Sequence, residues 1–312
     1  MAAPATLTIN GGNFASPLRY PGGKGRLAPW LGELIVANRL KGGCYVEPYA
    51  GGAGAALYLL LQGFVKRIII NDADPAVYAF WNAVVHESEE LIDQIQSNAP
   101  TMATRELARE ILSAPGDYSS SELAFATFFL NRTSRSGILN GGVIGGKAQA
   151  GAYKLDARYN QEDLVARIRA IAAQKDRIKV LGMDALELLT KVAPKLPKKS
   201  LIYLDPPYYV KGSQLYRNCY EHADHLAVAK AARQLSHPLL ITYDDTPEIR
   251  KLYRGIKSSL FSLQYSTHKA RPTASEVLFY ANLTLPMAPC MTRSTRIDLP
   301  SRIRRELKRA AA

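Results

Sequence analysis

Apolar and polar positions change their period along the chain, and the changes divide it into elements. CYVE, at Cys44–Glu47, is a short apolar run that predicts a strand, and the turn-rich YAGGAG follows it. AALYLLLQG then predicts a helix that Gly63 stops. KRIIIN, residues 66–71, is β-branched and predicts a second strand. From Pro75, PAVYAFWNAVVHESEELIDQI carries helical periodicity, with proline in the first turn. Strand–helix–strand–helix is the opening of a parallel α/β sheet.

The alternation pauses over residues 86–175. Helical patches (RELAREIL, SELAFATFFLN, QEDLVARIRAIAAQ) surround a glycine-rich loop, GILNGGVIGGKAQAGAY. The α/β order then resumes with strands RIKVLG, SLIYLD and PLLITYD, each followed by a helical stretch, and two late strands, SLFSLQY and SEVLFYAN, close the set. The pattern predicts a seven-stranded, mostly parallel sheet formed by residues 15–85 and 176–285. Residues 86–175 read as an inserted, mainly helical domain, and residues 286–312 as a basic tail. The tail has room for a helix from Ser301, and a frayed end serves equally well. Trp30, Trp81 and the TFF of 127–129 read as core.

Composition narrows the class. The chain has 312 residues, 47% apolar and 21% charged, enough for a large core. The solid apolar run AALYLLL falls far short of the ~20 residues a membrane span needs. The N-terminus lacks the charged and apolar regions of a signal peptide. Cys44, Cys219 and Cys290 are few, odd in number and far apart, which argues against disulfides and makes a reducing cytoplasm the default. Cys219, His222 and His225 share a three-residue spacing, but no fourth ligand lies near them in sequence, so no metal is expected.

Charge adds a partner. The net charge is +13, and it is concentrated. Residues 132–179 hold ten Lys/Arg against four Asp/Glu, and residues 291–312 seven against two, together +11 of the +13. Local positive charge of this kind suits a polyphosphate; a solvated basic face is the bland alternative.

Three stretches carry candidate chemistry. In LIYLDPPYYV, a buried-looking strand runs into Asp205, Pro206, Pro207 and Tyr208. Two prolines in succession make a stiff extended corner that fixes its carbonyls and aims the flanking side chains. In EPYAGGAG, glycines between strand and helix let backbone approach a ligand. Asp72 stands 21 residues beyond Gly51, the distance at which an acid accepts ribose hydroxyls. Asp184 can receive an adenine amine or cap the helix that follows it. In PLRYPGGKGRL, Gly22 and Gly23 allow close approach, Lys24 can meet a carboxylate or phosphate, and Tyr20 can cover a flat surface. Open α/β sheets bind ligands at the carboxyl ends of their strands, where these residues fall.

From about Pro17 to Asn282, this constellation resembles the amino-methylating DNA methyltransferases, and more narrowly the DNA adenine methylase (Dam, D12-class) family. LRYPGGKGRL is similar to that family's opening motif, EPYAGGAG to its cofactor loop, IINDADP to its ribose-binding acid and LDPPY to its catalytic motif. ITYDDTPEIRKLY and SEVLFYAN resemble its late motifs, and NRTSRSG the start of its target-recognition region. The recognition region otherwise follows the family in outline and not in letters.

The resemblance implies a Rossmann-like class I methyltransferase sheet with an inserted target-recognition domain. It implies a site-specific enzyme that moves a methyl group from S-adenosylmethionine to the N6 amine of an adenine flipped from double-stranded DNA. Asp205 and the Pro206 carbonyl would each accept an amine hydrogen, and Tyr208 would stack on the base. The cofactor would be held by Tyr20, Gly23, Lys24, Glu47, Pro48, Tyr49, Gly51, Gly52, Gly54, Asp72, Asp184 and Asp205. DNA would meet Asn131, Arg132, Arg135, Lys147, Lys154 and Arg158. Neither a metal nor a membrane is implied, and a monomer suffices, with a dimer left open. RNA adenine, cytosine N4, a small molecule or protein amide, and a catalytically silent DNA reader remain as alternatives. Whether a cognate restriction enzyme exists is not written in the chain.

Overall fold

The computed structural model describes residues 16–20, 23–210, 220–264 and 273–291. Gly22, Cys219 and the basic tail beyond residue 291, with the helix expected from Ser301, lie outside the described residues.

Seven strands form one sheet in the order β3-β2-β1-β4-β5-β7-β6. They are β1 (Cys44–Glu47), β2 (Arg67–Asn71), β3 (Ile178–Leu181), β4 (Ser200–Leu204), β5 (Leu239–Asp244), β6 (Lys257–Gln264) and β7 (Thr273–Ala281). The first five are mutually parallel, and β7 joins β5 and β6 antiparallel. This is the Rossmann-like, class I methyltransferase arrangement. Strand order runs outward from β1 through β2 to β3, and outward from β4 through β5 the other way. The switch point therefore lies between β1 and β4, and a crevice opens there at their carboxyl ends.

Alternation along the strands assigns the two faces. Tyr45, Ile68, Ile70, Leu201, Tyr203 and Leu240 point into one core. Their neighbours Val46, Ile69, Ile202, Leu204, Leu239 and Ile241 point into the other. Helices α1 (Ala28–Ala37), α2 (Gly54–Leu61) and α3 (Pro75–His86) cover the first face. On the second lie α8 (Ala185–Glu187, continued by a π-turn, Leu188–Val192), α9 (His222–Arg233) and α10 (Pro247–Leu252).

Helical periodicity running on from Pro75 implies a longer helix than the one observed. The chain breaks at Glu87 (φ −132°, ψ 35°), and α4 (Ser88–Ser97) begins anew with Glu89 and Glu90 in its first turn, where the helix dipole favours them. The break turns Leu91, Ile92 and Ile95 into the core. Helices α4, α6 (Ser120–Thr133) and α7 (Gln161–Ala172) then pack on α3, and α5 (Met102–Ser113) packs on α6. They share its hydrophobic cluster, in which Phe80 stacks on Phe128 at 6.2 Å. Residues 86–175 contain no named strand. Trp30, Trp81 and the side chains of residues 127–129 are buried in this core. No described helix is long and apolar enough to cross a membrane.

Candidate active site

The corner after β4 is the focus. All of β4 is buried, and Pro206, Pro207 and Tyr208 continue that burial while Asp205 stays partly exposed. The prolines offer no N–H, so β4 cannot extend its ladder through them. The next two amides are captured instead: Tyr209 N and Val210 N donate to the Asp244 carboxylate at 2.9 and 3.1 Å. Asp244 ends β5, so the neighbouring strand holds the exit of the corner.

Lys24 ties the corner to the rest of the molecule. Its side chain is 3% exposed. Its Nζ donates to both Asp205 oxygens at 2.8 and 2.9 Å, lies 3.3 Å from the Tyr208 hydroxyl and 3.6 Å from Glu276 Oε2. Thr242 Oγ1 donates to Asp205 Oδ1 at 2.6 Å, and the Tyr208 hydroxyl donates to Glu276. Burial alone would pull the Lys24 ammonium toward neutrality, but Asp205, then Glu276 and Tyr208, hold its pKa well above the ordinary value. The ammonium thus stays charged between two carboxylates.

Thr242, Glu276 and Asp244 were not singled out by sequence reasoning. Glu276 left a signal, an acid inside the apolar run SEVLFY, and it is 0% exposed. Thr242 left a weaker one, a hydroxyl in LLITYD.

Beside the corner lies the glycine turn after β1. Gly51 (φ 45°) packs under the Tyr20 ring, where an added Cβ would come within 2.6 Å of it. Gly51 N donates to Asp72 Oδ2 at 2.9 Å, and the Asp74 amide to Oδ1 at 3.0 Å. Trp81 Nε1 holds the Gly51 carbonyl at 2.8 Å. Burial raises the Asp72 carboxyl to about 6 against these two hydrogen bonds. Burial likewise raises Glu47 to about 8, helped by nearby Asp205 and opposed by donation from the Tyr45 hydroxyl and Ala56 N. The turn is therefore walled by acids that pay for lost hydration. Asp184 caps α8, accepting from Leu186 N at 2.8 Å, and remains exposed. The Tyr49 hydroxyl meets that of Tyr220 at 3.1 Å. Tyr220 is pushed to about 12 by burial and by the neighbouring Asp184, Asp224 and Asp72, against its bond to Tyr49. Tyr220 is a further residue of this wall that no motif announced. Pro48 joins the same turn, its carbonyl accepting from Asn71 Nδ2 at 2.9 Å; Gly23 N donates to the Tyr20 carbonyl at 3.2 Å, and Gly54 opens α2.

The basic region attaches to this site through the N-terminal segment. Asn131, expected at a DNA surface, is 1% exposed. Its amide bonds Arg19 N (2.7 Å), Arg19 O (2.8 Å) and Gly137 O (2.9 Å), so it ties the loop to the segment ending in Tyr20 instead of reaching outward. Arg132 is half-buried; its Nε donates to Arg158 O at 2.7 Å. Burial, and the neighbouring Arg19, Arg167 and Arg158, lower Arg132 to about 9, with Asp163 opposing. Arg135, Lys147, Lys154 and Arg158 are exposed. Arg105, on α5 and 2% exposed, donates to Thr133 Oγ1, Ser134 Oγ and the Gly141 carbonyl at 2.8–3.0 Å, and so clamps the loop's base. Among the described residues, no group of three or more His, Cys, Asp or Glu is placed to hold a metal ion.

Comparison with known proteins follows the same lines. A family model described as D12 class N6 adenine-specific DNA methyltransferase matches residues 20–269. The Type II methyltransferase M.MjaIII of Methanocaldococcus jannaschii is 22% identical over 204 residues, 61% of this chain and 68% of its own. Among solved structures, a Pyrococcus horikoshii protein described as a candidate RNA methyltransferase aligns over 83% of each chain at 10% identity, with a TM-score of 0.38. Spermidine synthase from Thermotoga maritima aligns over 88% of this chain and 70% of its own at 9% identity, with a TM-score of 0.34.

The Glu47 environment predicts a pH signature in stability. Unfolded, this carboxyl titrates near its ordinary 4.5; folded, it holds its proton to about 8. Between those values the unfolded chain has lost a proton that the folded chain keeps, so the Glu47 contribution falls as pH rises, and levels off above the folded value. Urea unfolding of wild type and Glu47→Gln at pH 5, 6.5 and 8 should show the wild type losing stability relative to the variant across that series. A difference that does not change with pH would refute the raised carboxyl.

Proposed function

The chain belongs to the D12 class of N6 adenine-specific DNA methyltransferases, and from that membership and the site's geometry we propose a specific reading. It transfers a methyl group from S-adenosylmethionine to the N6 amine of an adenine turned out of double-stranded DNA. The observation that carries the reading is the Asp205-Pro206-Pro207-Tyr208 corner at the carboxyl end of β4, pinned by Lys24 and Thr242 beside the glycine turn of β1.

The residues beside the corner suit the donor. Asp72 and Glu47 are acids raised by burial, and a ligand bringing positive charge and hydroxyl donors would offset that cost. Each Asp72 oxygen takes one backbone amide and keeps a second lone pair for a ribose hydroxyl. Tyr20 on Gly51 offers a flat face, and Tyr49, Tyr220 and Asp184 line the adjoining wall. Gly23, Pro48, Gly52 and Gly54 keep backbone close to the ligand. When bound, the cofactor supplies an electrophilic sulfonium methyl.

The protein's task is then to make a poor nucleophile attack. The adenine amine is weak because its lone pair is spread into the ring. Among the described residues, Asp205 Oδ1 already accepts from Lys24 and Thr242, whereas Oδ2 accepts from Lys24. Oδ2 therefore has capacity for one amine hydrogen, and the Pro206 carbonyl, whose direction the following Pro207 restricts, for the other. Drawing on both hydrogens pushes the nitrogen toward a pyramidal form, with its lone pair directed away from the two acceptors. The Tyr208 hydroxyl, tied to Glu276 and Lys24, fixes the ring on which the base would stack. Transfer would replace the cofactor's S–C bond by an N–C bond, and the proton the amine then loses would pass by way of Asp205 to water. Alignment and fixed acceptors supply the rate, with no covalent intermediate.

The reading sets the reaction in the cytoplasm and gives residues 86–175 the task of recognising DNA. Arg132, Arg135, Lys147, Lys154 and Arg158 supply positive charge for phosphates, and Asn131 and Arg105 position the loop that carries them.

Asp205→Asn should cut methyl transfer by about 100-fold or more, because one acceptor becomes a donor facing Lys24. Tritiated-methyl incorporation into duplex DNA, followed by nucleoside digestion, should give N6-methyladenine for the wild type and almost none for the variant. A near-normal rate in the variant, or label on cytosine, would overturn the assignment. Asp72→Ala should weaken cofactor binding by about 10- to 150-fold and leave DNA affinity nearly unchanged. Unchanged cofactor affinity by calorimetry would leave Asp72 with only its bond to the Gly51 amide.

A further inference from the structure

His225 is a buried ionisable side chain to which the methyl transfer described above gives no part. It stands in the first turn of α9 and is 1% exposed. Its Nδ1 lies 2.9 Å from the Tyr243 hydroxyl on β5. Its Nε2 is buried and has no hydrogen-bond partner among the described residues. Burial lowers the imidazolium below its ordinary pKa, against the pull of Asp244 and Asp224. The ring is therefore neutral at pH 7, with one N–H and one lone pair, and the Tyr243 hydroxyl can serve either. Whichever tautomer forms, Nε2 goes without a bond, which costs free energy in a buried place. An apolar ring would avoid that cost, so the surroundings of His225 have to supply the reason for a histidine here.

Three tyrosine rings stand round the imidazole: Tyr209 at 5.2 Å, Tyr220 at 5.4 Å and Tyr243 at 5.5 Å between centroids. Each belongs to a different part of the site. Tyr209 directly follows the Asp205-Pro206-Pro207-Tyr208 corner; its amide is held by Asp244, and its hydroxyl meets His222 Nδ1 at 3.0 Å. Tyr220 meets Tyr49 across the wall near Asp184 and Asp72. Tyr243 lies on β5 between Thr242, which donates to Asp205, and Asp244. One ring thus touches the side of the corner, the side of the glycine turn and the strand that braces the corner. Its bond to Tyr243 sets how it stands between Tyr209 and Tyr220. We propose that His225 is a positioning residue for methyl transfer, fixing the spacing between the corner that would hold the adenine amine and the tyrosine wall that would hold the cofactor. The proposal rests on the methyltransferase reading of this site. It gives His225 an action through Tyr209 and Tyr220 and no direct part in the chemistry.

Paired substitution separates positioning from mere filling of the core. His225→Phe alone strands the Tyr243 hydroxyl, and Tyr243→Phe alone strands a second ring nitrogen, so each single variant should unfold at a lower urea concentration than wild type. The double variant removes both polar partners and the orphaned Nε2 with them, and should recover wild-type stability or exceed it. Activity should not recover. The full chain is assayed with a duplex carrying the sequence found methylated in DNA from cells that express it, and rates are expressed per folded molecule. The double variant should lose about 10- to 100-fold in kcat through misalignment. Calorimetry with S-adenosylmethionine alone should show binding weaker by about 2- to 10-fold, the worth of a disturbed aromatic contact. Affinity for the duplex should stay within about twofold, because the charged region is untouched. A double variant that binds cofactor and turns over like wild type would make His225 a core filler and overturn the proposal. A loss confined to duplex affinity would overturn it as well. Failure of the wild type to methylate any duplex would overturn the methyltransferase reading and the proposal with it, and is distinguishable because it appears before any substitution is made.

Discussion

One buried ammonium organises this molecule. Lys24 is carried by a short 3-10 turn before α1, yet its Nζ lies between Asp205 after β4 and Glu276 on β7, with Tyr208 in reach. Removing one member of a buried charge cluster strands the others without hydration, so these positions stand or fall together. The arrangement is a poor way to gain stability and a good way to fix a conformation. It holds the Asp205 carboxylate in one orientation and anchors the Tyr208 hydroxyl. It also fastens the N-terminal segment across the switch point of the sheet.

That segment has consequences beyond Lys24. Arg19 is bonded through both its amide and its carbonyl to Asn131, Tyr20 covers Gly51, and Lys24 holds Asp205. Three places that matter for the reading are thus tied to neighbouring stretches of one chain segment: the root of the basic loop, the glycine turn and the Asp205 corner. Arg105 adds a second anchor from α5, so the loop bearing the basic side chains is fixed on two sides. Protein interiors transmit displacement instead of absorbing it.

Much of this was legible in the chain because it is local. Strands with apolar runs such as RIIIN and SLIYL show their class directly, and Asp-Pro-Pro-Tyr shows a corner by its own stereochemistry. The break at Glu87 was not legible: helical periodicity runs through it, and only the packing of Leu91, Ile92 and Ile95 onto the core decides where the helix turns. Asn131 carries the letters of a recognition motif, but its burial depends on Arg19, which is 112 residues away. The link from Lys24 to Asp205 spans 181 residues, and no spacing rule reaches that far. Thr242 and Glu276 look like strand residues until β4, β5 and β7 bring them round the same carboxylate. Elements follow from neighbours in sequence, and the charge cluster follows from the order of strands.

The most direct test of the organising role of Lys24 is a double-mutant cycle in stability, using Lys24→Met, Asp205→Asn and the pair. Lys24→Met alone leaves the buried Glu276 and the partly exposed Asp205 without their cation, at a cost of about 3–5 kcal/mol. Replacing Asp205 as well removes one of those acids, so the pair should be destabilised by less than the sum of the singles, with a coupling of at least about 1 kcal/mol from urea unfolding. Strict additivity would mean that Lys24 and Asp205 are neighbours without being partners, and would contradict the account.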